Sequence, residues 1–296
     1  MVNEIFDRLY LSGCDVFPKE PMKYHTSIKI GGKVAALVYP NTAKSFKNVV
    51  KILKSFEIPF KIKGIGTNLL VSDSDLPFFV LSTERLTSID LSGEVIIAES
   101  GTTMKRLIEV AAENALSGME ELFGIPGSVG GAVYMNAGAY GKEIKDVLLW
   151  AEVFDGERVE KLSAKELGLG YRKSNVGSRI ILRAAFKLKR SNRNKIESHM
   201  REFLGKRLEK QPIYEWSAGS LFKRPKPNFY VGSTLEKLGF KGFKVGCVKI
   251  SEKHAGFMVN EGCGNFEDAM RLIEIIKTKV KQVYSVELEP EVIIWK

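Results

Sequence analysis

The sequence predicts an α+β fold, and three observations carry that prediction. Residues 42–56 place Phe46, Val49, Val50, Leu53 and Phe56 on one helical stripe, whereas residues 180–188 alternate strictly, so both periods occur in one chain. Its 296 residues, 44% apolar and 27% charged, are enough for two or three compact units with their own cores.

In chain order, Asn41 or Thr42 caps the first of these helices. "PFKIKGIGTNLLVSD" then runs a strand into a glycine turn, and "FFVLS" (78–82) and "VIIAES" (95–100) read as strands. Thr102 to Leu116 is helical, with Met104, Leu107, Ile108 and Ala111 inward. The segment "GIPGSVGGAVYMNAGAYG" (124–141) follows, its "NAGAYG" placed after an apparent strand. In the strand 180–188, Ile180, Leu182, Ala184, Phe186 and Leu188 share one face, with Arg183 and Lys187 on the other. An amphipathic helix carrying Ile196, Met200, Phe203, Leu204 and Leu208 marks a boundary near 195–212. Beyond it, Ser233 to Glu236 reads as a capping box, with short strands near 245–250 and 256–260. Asn265 caps a helix to Val283 that turns Ala269, Leu272, Ile276, Val280 and Val283 inward. "VELEPEVIIW" ends the chain as a strand, with Glu287, Glu289, Glu291, Ile293 and Trp295 on one face.

Residues 1–10 lack a signal-peptide core and no apolar run approaches membrane-spanning length, so a cytoplasmic protein without a membrane partner is expected. Cys14, Cys247 and Cys263 are odd in number and lack metal-like spacing, and His25, His199 and His254 are scattered, which predicts reduced thiols and no metal site. The net charge of +10 raises nucleic-acid binding, but the lysines are dispersed on helix faces, as at Lys44, Lys47, Lys51 and Lys54, so an anionic small molecule is the expected partner.

Glycine clusters suit tight turns and close approach to a ligand. A P-loop would need Gly-Lys-Ser/Thr, which 124–141 lacks, and "GIGTNL" has Leu69 where a Rossmann fingerprint has its third glycine. Two turns remain, 64–68 and 124–131, each able to aim bare amides at a pyrophosphate. Tight corners between strands are the other reading of the same residues.

"GIGTNLLVSD", "GIPGSVGGAVYMNAGAYG", "GYRKS", "AGSLFK", "SEKHAGFMVN" and "VELEPEV" occur in this order over nearly the whole chain, and together they resemble the MurB family of UDP-N-acetylenolpyruvoylglucosamine reductases. The resemblance implies a two-lobed FAD-binding region of the vanillyl-alcohol-oxidase (PCMH) type, with lobes at 1–80 and 81–195, and an α+β substrate-binding domain at 196–296 whose last strand returns to the active site. It implies that FAD is held by Gly64, Ile65, Gly66, Thr67, Asn68 and Leu69. It implies a second set in Gly124, Ile125, Pro126, Gly127, Ser128, Gly130, Gly131, Asn136, Ala137 and Gly138.

The implied chemistry is reduction of FAD by NADPH, then hydride delivery to the enolpyruvyl ether of a UDP-sugar, giving UDP-N-acetylmuramate for peptidoglycan. Charge left on the substrate spreads into its carboxylate, which calls for electrophilic partners and a proton donor. By the resemblance Ser220 donates that proton, Arg172 pairs the carboxylate, and Glu291, its pKa raised by partial burial, helps neutralise the enolate. Tyr171 would line the substrate channel, and Lys223 and Arg224 would meet the diphosphate, although the family commonly has asparagine at Arg224 and again at Gly256. His254 reads as structural. The short stretch after "YRKSN" leaves no room for a tyrosine-bearing insertion, so the shorter subtype is expected; separately, the oligomeric state is left open with a monomer favoured. An alcohol oxidase of the same fold, or a nucleotide- or RNA-binding protein, are the competing readings.

Overall fold

The computed structural model describes residues 2–296, which divide into two units. The first takes the chain up to Pro18, then Ala35–Ile65 and Pro77–Gly205; the second takes Lys19–Val34, Gly66–Leu76 and Lys206–Lys296. Segments 19–34 and 66–76, expected in the first lobe, therefore cluster with the C-terminal part.

Within the first unit a four-stranded sheet orders Cys14–Pro18, Val34–Pro40, Leu76–Ser82 and Phe60–Lys63. The helix Ala43–Ser55 covers it because Phe46, Val49, Val50 and Leu53 recur on one face, all fully buried; Thr42 caps it by accepting from the Ser45 amide at 3.0 Å. Phe60–Lys63 pairs in parallel with Leu76–Ser82, so it enters the glycine turn at Gly64 beside Ser82.

A second sheet in this unit is wholly antiparallel, in the order Val159–Ser163, Leu148–Phe154, Ile180–Lys187, Val95–Glu99, Ile89–Ser92. Ile180–Lys187 departs from strict alternation: its register slips between Arg183 and Ile181 opposite Glu152 and Val153, a β-bulge at Leu182. The bulge changes which face each residue joins, so Ile180 and Leu182 enter the core of the first sheet while Ile181, Ala184 and Phe186 enter the second core. The helix expected from Thr102 is Met104–Glu113, capped by Thr103, and Leu116 lies in a short strand beyond it.

Helix Arg193–Lys210 carries the chain into the second unit. There Trp216–Ser220, Phe257–Asn260, Val248–Ile250 and Lys244–Val245 form an antiparallel sheet, and Leu69–Val71 pairs in parallel with Ile293–Trp295. Helix Phe266–Tyr284, capped by Asn265, buries Ala269, Leu272, Ile276 and Val280 with Ile28, Ile30 and Leu70.

Several expectations need correction here. Val283 is 50% exposed, because the helix has turned its last residues away from the core. Ser233 lies inside helix Val231–Lys237, whose N-cap is Tyr230 with no side-chain capping bond. The terminal strand is only Ile293–Trp295, since Pro290 has no amide to donate and the chain bends at Glu291 and Val292. Cys247 and Cys263 form a disulfide, with Cα atoms 5.4 Å apart, and Cys14 alone is free. Their strands Val248–Ile250 and Phe257–Asn260 pair with Val248 opposite Asn260, which brings the flanking cysteines together.

Candidate active site

In the first unit the two glycine turns meet. A Cβ on Gly64 would sit 2.2 Å from Ser128 Oγ, and one on Gly130 would sit 2.9 Å from Ser100 Cβ, so glycine at these positions leaves room for the two segments to pack together. Gly124 (φ 82°) takes the left-handed conformation that glycine tolerates. Residues 127–130 dock on 100–104: Val129 N–H donates to Thr102 O and Gly130 N–H to Ser100 O, both at 2.8 Å, and Met104 N–H to Gly127 O at 2.9 Å. Ser128 Oγ caps a short helix, Val129–Tyr134, where a strand was expected before "NAGAYG". Small residues let this one turn of helix pack tightly against the strand Ile180–Lys187.

The surroundings of these turns fit a bound dinucleotide. Among the described residues, the amides of Gly64 and Ile65 have no protein acceptor, and the buried hydroxyls of Ser100 and Thr102 have no partner. Buried polar groups are normally paired, so donors clustered around a cradle without Cβ atoms call for an oxygen-rich ligand. Ser100 and Thr102 were missed from sequence; the signal was their place at the end of a strand, either side of Gly101, where a Cβ would sit 1.8 Å from Thr83 O.

Asn136 is fully buried with φ 44°. Its Oδ1 accepts from the Lys145 amide at 2.9 Å, and its Nδ2 donates to Glu143 Oε2 at 3.0 Å and Gly170 O at 2.9 Å. Its side chain thus supports the turn Gly170–Lys173, whose two ends bond to each other. Arg172 sits in that turn at φ 52°, a conformation costing a non-glycine residue about 1–2 kcal/mol. Its Nη2 donates to Gly138 O at 2.9 Å and its guanidinium lies 5.0 Å from the centre of the Tyr171 ring, which is 43% exposed. Ile125 and Ala137 spend their amides on Leu122 and Ala132, so both serve the turns' own geometry.

In the second unit, Gly66 (φ 73°) is required because a Cβ would lie 2.0 Å from His25 O. Asn68 Nδ2 donates to Glu291 O at 3.1 Å, and Asn68 O accepts from the Ile293 amide at 2.9 Å, which ties the Thr67–Leu69 segment to the chain's last strand. Ser220 ends its strand opposite Phe257, after an irregularity around Gly219 (φ 79°) that turns the chain. Residues 221–223 then run antiparallel to 289–291: Glu291 N–H donates to Leu221 O and Lys223 N–H to Glu289 O, both at 2.9 Å. Phe222 faces Pro290, so Leu221 faces Glu291 and exposed Ser220 is one residue further along. Glu291 is half-buried.

Ser220, Glu291 and Asn68 are thus held by one unit and Arg172 by the other. Lys223 pairs with Glu289 at 2.6 Å, so a diphosphate would compete with that carboxylate, and Arg224 lies 4.7 Å from the centre of the Tyr230 ring. Burial holds the His254 imidazole below its ordinary pKa, and its Nδ1 accepts from the Gly256 amide at 2.9 Å. A Cβ on Gly256 would come within 2.9 Å of that ring, which accounts for glycine there.

Unspent amides at a glycine turn beside buried, unpartnered hydroxyls make this a candidate dinucleotide-binding protein. Residues 34–159 match the FAD binding domain family, and residues 211–295 match the C-terminal domain of UDP-N-acetylenolpyruvoylglucosamine reductase. Proteins named UDP-N-acetylenolpyruvoylglucosamine reductase from Thermotoga sp. (strain RQ2) and Fervidobacterium nodosum are 50% and 48% identical, covering 99% and 100% of this chain and 98% and 97% of theirs. The crystal structure of the reductase (MurB) from Thermus caldophilus superposes with a TM-score of 0.81 at 33% identity, over 96% of this chain and 99% of that one. Berberine bridge enzyme shares the fold alone, with a TM-score of 0.50 at 15% identity over 64% of this chain and 44% of its own. The chain belongs to the UDP-N-acetylenolpyruvoylglucosamine reductase family.

Proposed function

We infer that this protein reduces the enolpyruvyl ether of UDP-N-acetylglucosamine-enolpyruvate to UDP-N-acetylmuramate, a step of peptidoglycan precursor synthesis, using NADPH and bound FAD. FAD supplies the hydride. The observation that supports this reading is the backbone pairing of 221–223 with 289–291, which brings the segment that follows Ser220 beside the one that carries Glu291.

The substrate carbon that receives hydride leaves negative charge on the neighbouring carbon and its carboxylate. Arg172, whose turn is braced by Asn136, pairs that carboxylate through a planar guanidinium. Ser220 gives its hydroxyl proton to the carbanionic carbon; so weak an acid serves because the acceptor is strongly basic and the donor is held in place. Glu291 adds a second group at the enolate. Gly64 to Leu69 and Gly124 to Gly138 hold the flavin nucleotide, Tyr171 lines the way in, and Lys223 and Arg224 meet the diphosphate once Lys223 exchanges Glu289 for it. We assign 1–80 and 81–195 to cofactor binding and 196–296 to substrate binding, with 19–34 and 66–76 clustering with the substrate-binding part.

No helix among the described residues is long and apolar enough to cross a membrane. We read the protein as a cytoplasmic monomer whose positive charge serves anionic nucleotides and not nucleic acid.

Anaerobic half-reactions test the roles. Ser220→Ala should let NADPH bleach the flavin at the wild-type rate and slow reoxidation by the enolpyruvyl sugar about 10²- to 10⁴-fold. Equal loss of both steps would remove Ser220 from the role of proton donor.

A further inference from the structure

Lys63 ends the strand Phe60–Lys63 with 2% of its surface exposed, and the chemistry above makes no use of it. Its Nζ donates to Gly64 O at 2.8 Å and pairs with the Glu84 carboxylate, which also accepts from Ser82 Oγ at 3.1 Å. Desolvation of a buried ammonium costs several kcal/mol unless it is paired and hydrogen-bonded. Burial accordingly pulls the Lys63 pKa below its ordinary value, against the opposing pull of Glu84. A chain that keeps a lysine here gains something from where its protons point.

The geometry of one peptide unit shows what. Gly64 O and Ile65 N–H belong to the same planar trans peptide and point in opposite directions. Holding Gly64 O inward on Nζ therefore turns Ile65 N–H outward. The preceding peptide is treated alike: Lys63 O accepts from Thr83 N–H at 3.0 Å and Thr83 Oγ1 at 3.4 Å, which turns Gly64 N–H away from Thr83. Neither of these two amides has an acceptor among the described residues.

We propose that Lys63, held by Glu84, is a positioning residue that locks the Gly64–Ile65 peptide with its amide aimed at the diphosphate of the flavin nucleotide. It touches no ligand itself. The inference rests on the reading of this turn as a dinucleotide site, and the experiment separates the two.

Apoprotein is prepared from wild type, Lys63→Met and Glu84→Gln, and binding of FAD and of riboflavin, which lacks the diphosphate, is measured by flavin fluorescence quenching. Lys63→Met should raise the Kd for FAD about tenfold or more, as expected for a lost hydrogen bond to a charged group, and leave that for riboflavin within about twofold. Glu84→Gln, which keeps the Nζ bond to Gly64, should show the same selectivity with a smaller loss. FAD affinity unchanged in both variants, or FAD and riboflavin weakened equally, would overturn the proposal. Wild-type apoprotein that takes up neither flavin would instead overturn the cofactor reading beneath it.

Discussion

Asn136 shows how a side chain can matter through the turn it supports. Asn136 lies in a motif that points to the cofactor, yet its amide is spent on Lys145, Glu143 and Gly170. Removing it leaves three partly buried partners without its bonds, each worth about 0.5–1.5 kcal/mol. Asn136→Ala should therefore lower stability by about 2–4 kcal/mol in urea unfolding and slow reoxidation by substrate more than reduction by NADPH, because the turn that carries Arg172 loses its brace. Equal slowing of both steps would leave Asn136 a purely structural role. The short motifs that carry Arg172, Ser220 and Glu291 can be read from the sequence alone. The partner of Asn136 cannot, since Gly170 lies 34 residues away and nothing local signals the bond.

At the scale of elements, the hairpin Val248–Ile250 and Phe257–Asn260 is fastened at its open end. Glu261 N–H donates to Cys247 O at 3.0 Å, Asn260 Oδ1 accepts from the Gly262 and Gly264 amides, and Cys247 joins Cys263. In the chain-entropy account a loop of this length contributes about 3 kcal/mol. Without reductant, the unfolded protein should show one free thiol, Cys14, and after reduction three; three without reductant would refute the disulfide. Burial, and then the Asp15 carboxylate, push the Cys14 thiol up from 9.0 to about 11, so the folded protein should resist alkylation at pH 8.

The same hairpin carries an acid-sensitive ion cluster. Hydrogen bonds from Lys244 and Lys249 hold the Glu261 carboxyl down from 4.5 to about 2. A depressed carboxylate pKa stabilises the fold above its unfolded value, and that contribution is lost as pH falls through the folded one. The loss should fall between about pH 4.5 and 2, and Glu261→Gln should flatten that part of the stability profile. Strand and helix periods gave these elements from sequence, as with the fully buried stripe of Ala43–Ser55. Bulges and bends did not show, because Leu182 and Pro290 act through register with partner segments that a one-dimensional pattern does not contain.

Across the whole molecule, the element order was readable and the division into units was not. Ile28, Ile30 and Leu70 join the core built on helix Phe266–Tyr284, and Leu69–Val71 pairs with Ile293–Trp295, contacts that span most of the chain. Such long-range pairing pays a loop-closure cost that only the assembled core repays, and no local composition marks it. The family likeness extends over that same full length, which is why function was more legible than topology.

The central claim is that bare amides at two glycine turns hold a flavin that passes hydride from NADPH to an enolpyruvyl UDP-sugar. An anaerobic absorption titration tests it most directly. The account predicts a flavin spectrum in the purified protein, bleaching by NADPH, and recovery of the oxidised spectrum on adding UDP-N-acetylglucosamine-enolpyruvate with one equivalent of UDP-N-acetylmuramate formed. A protein that binds no flavin, or a bleached flavin that the sugar nucleotide leaves reduced, would contradict it.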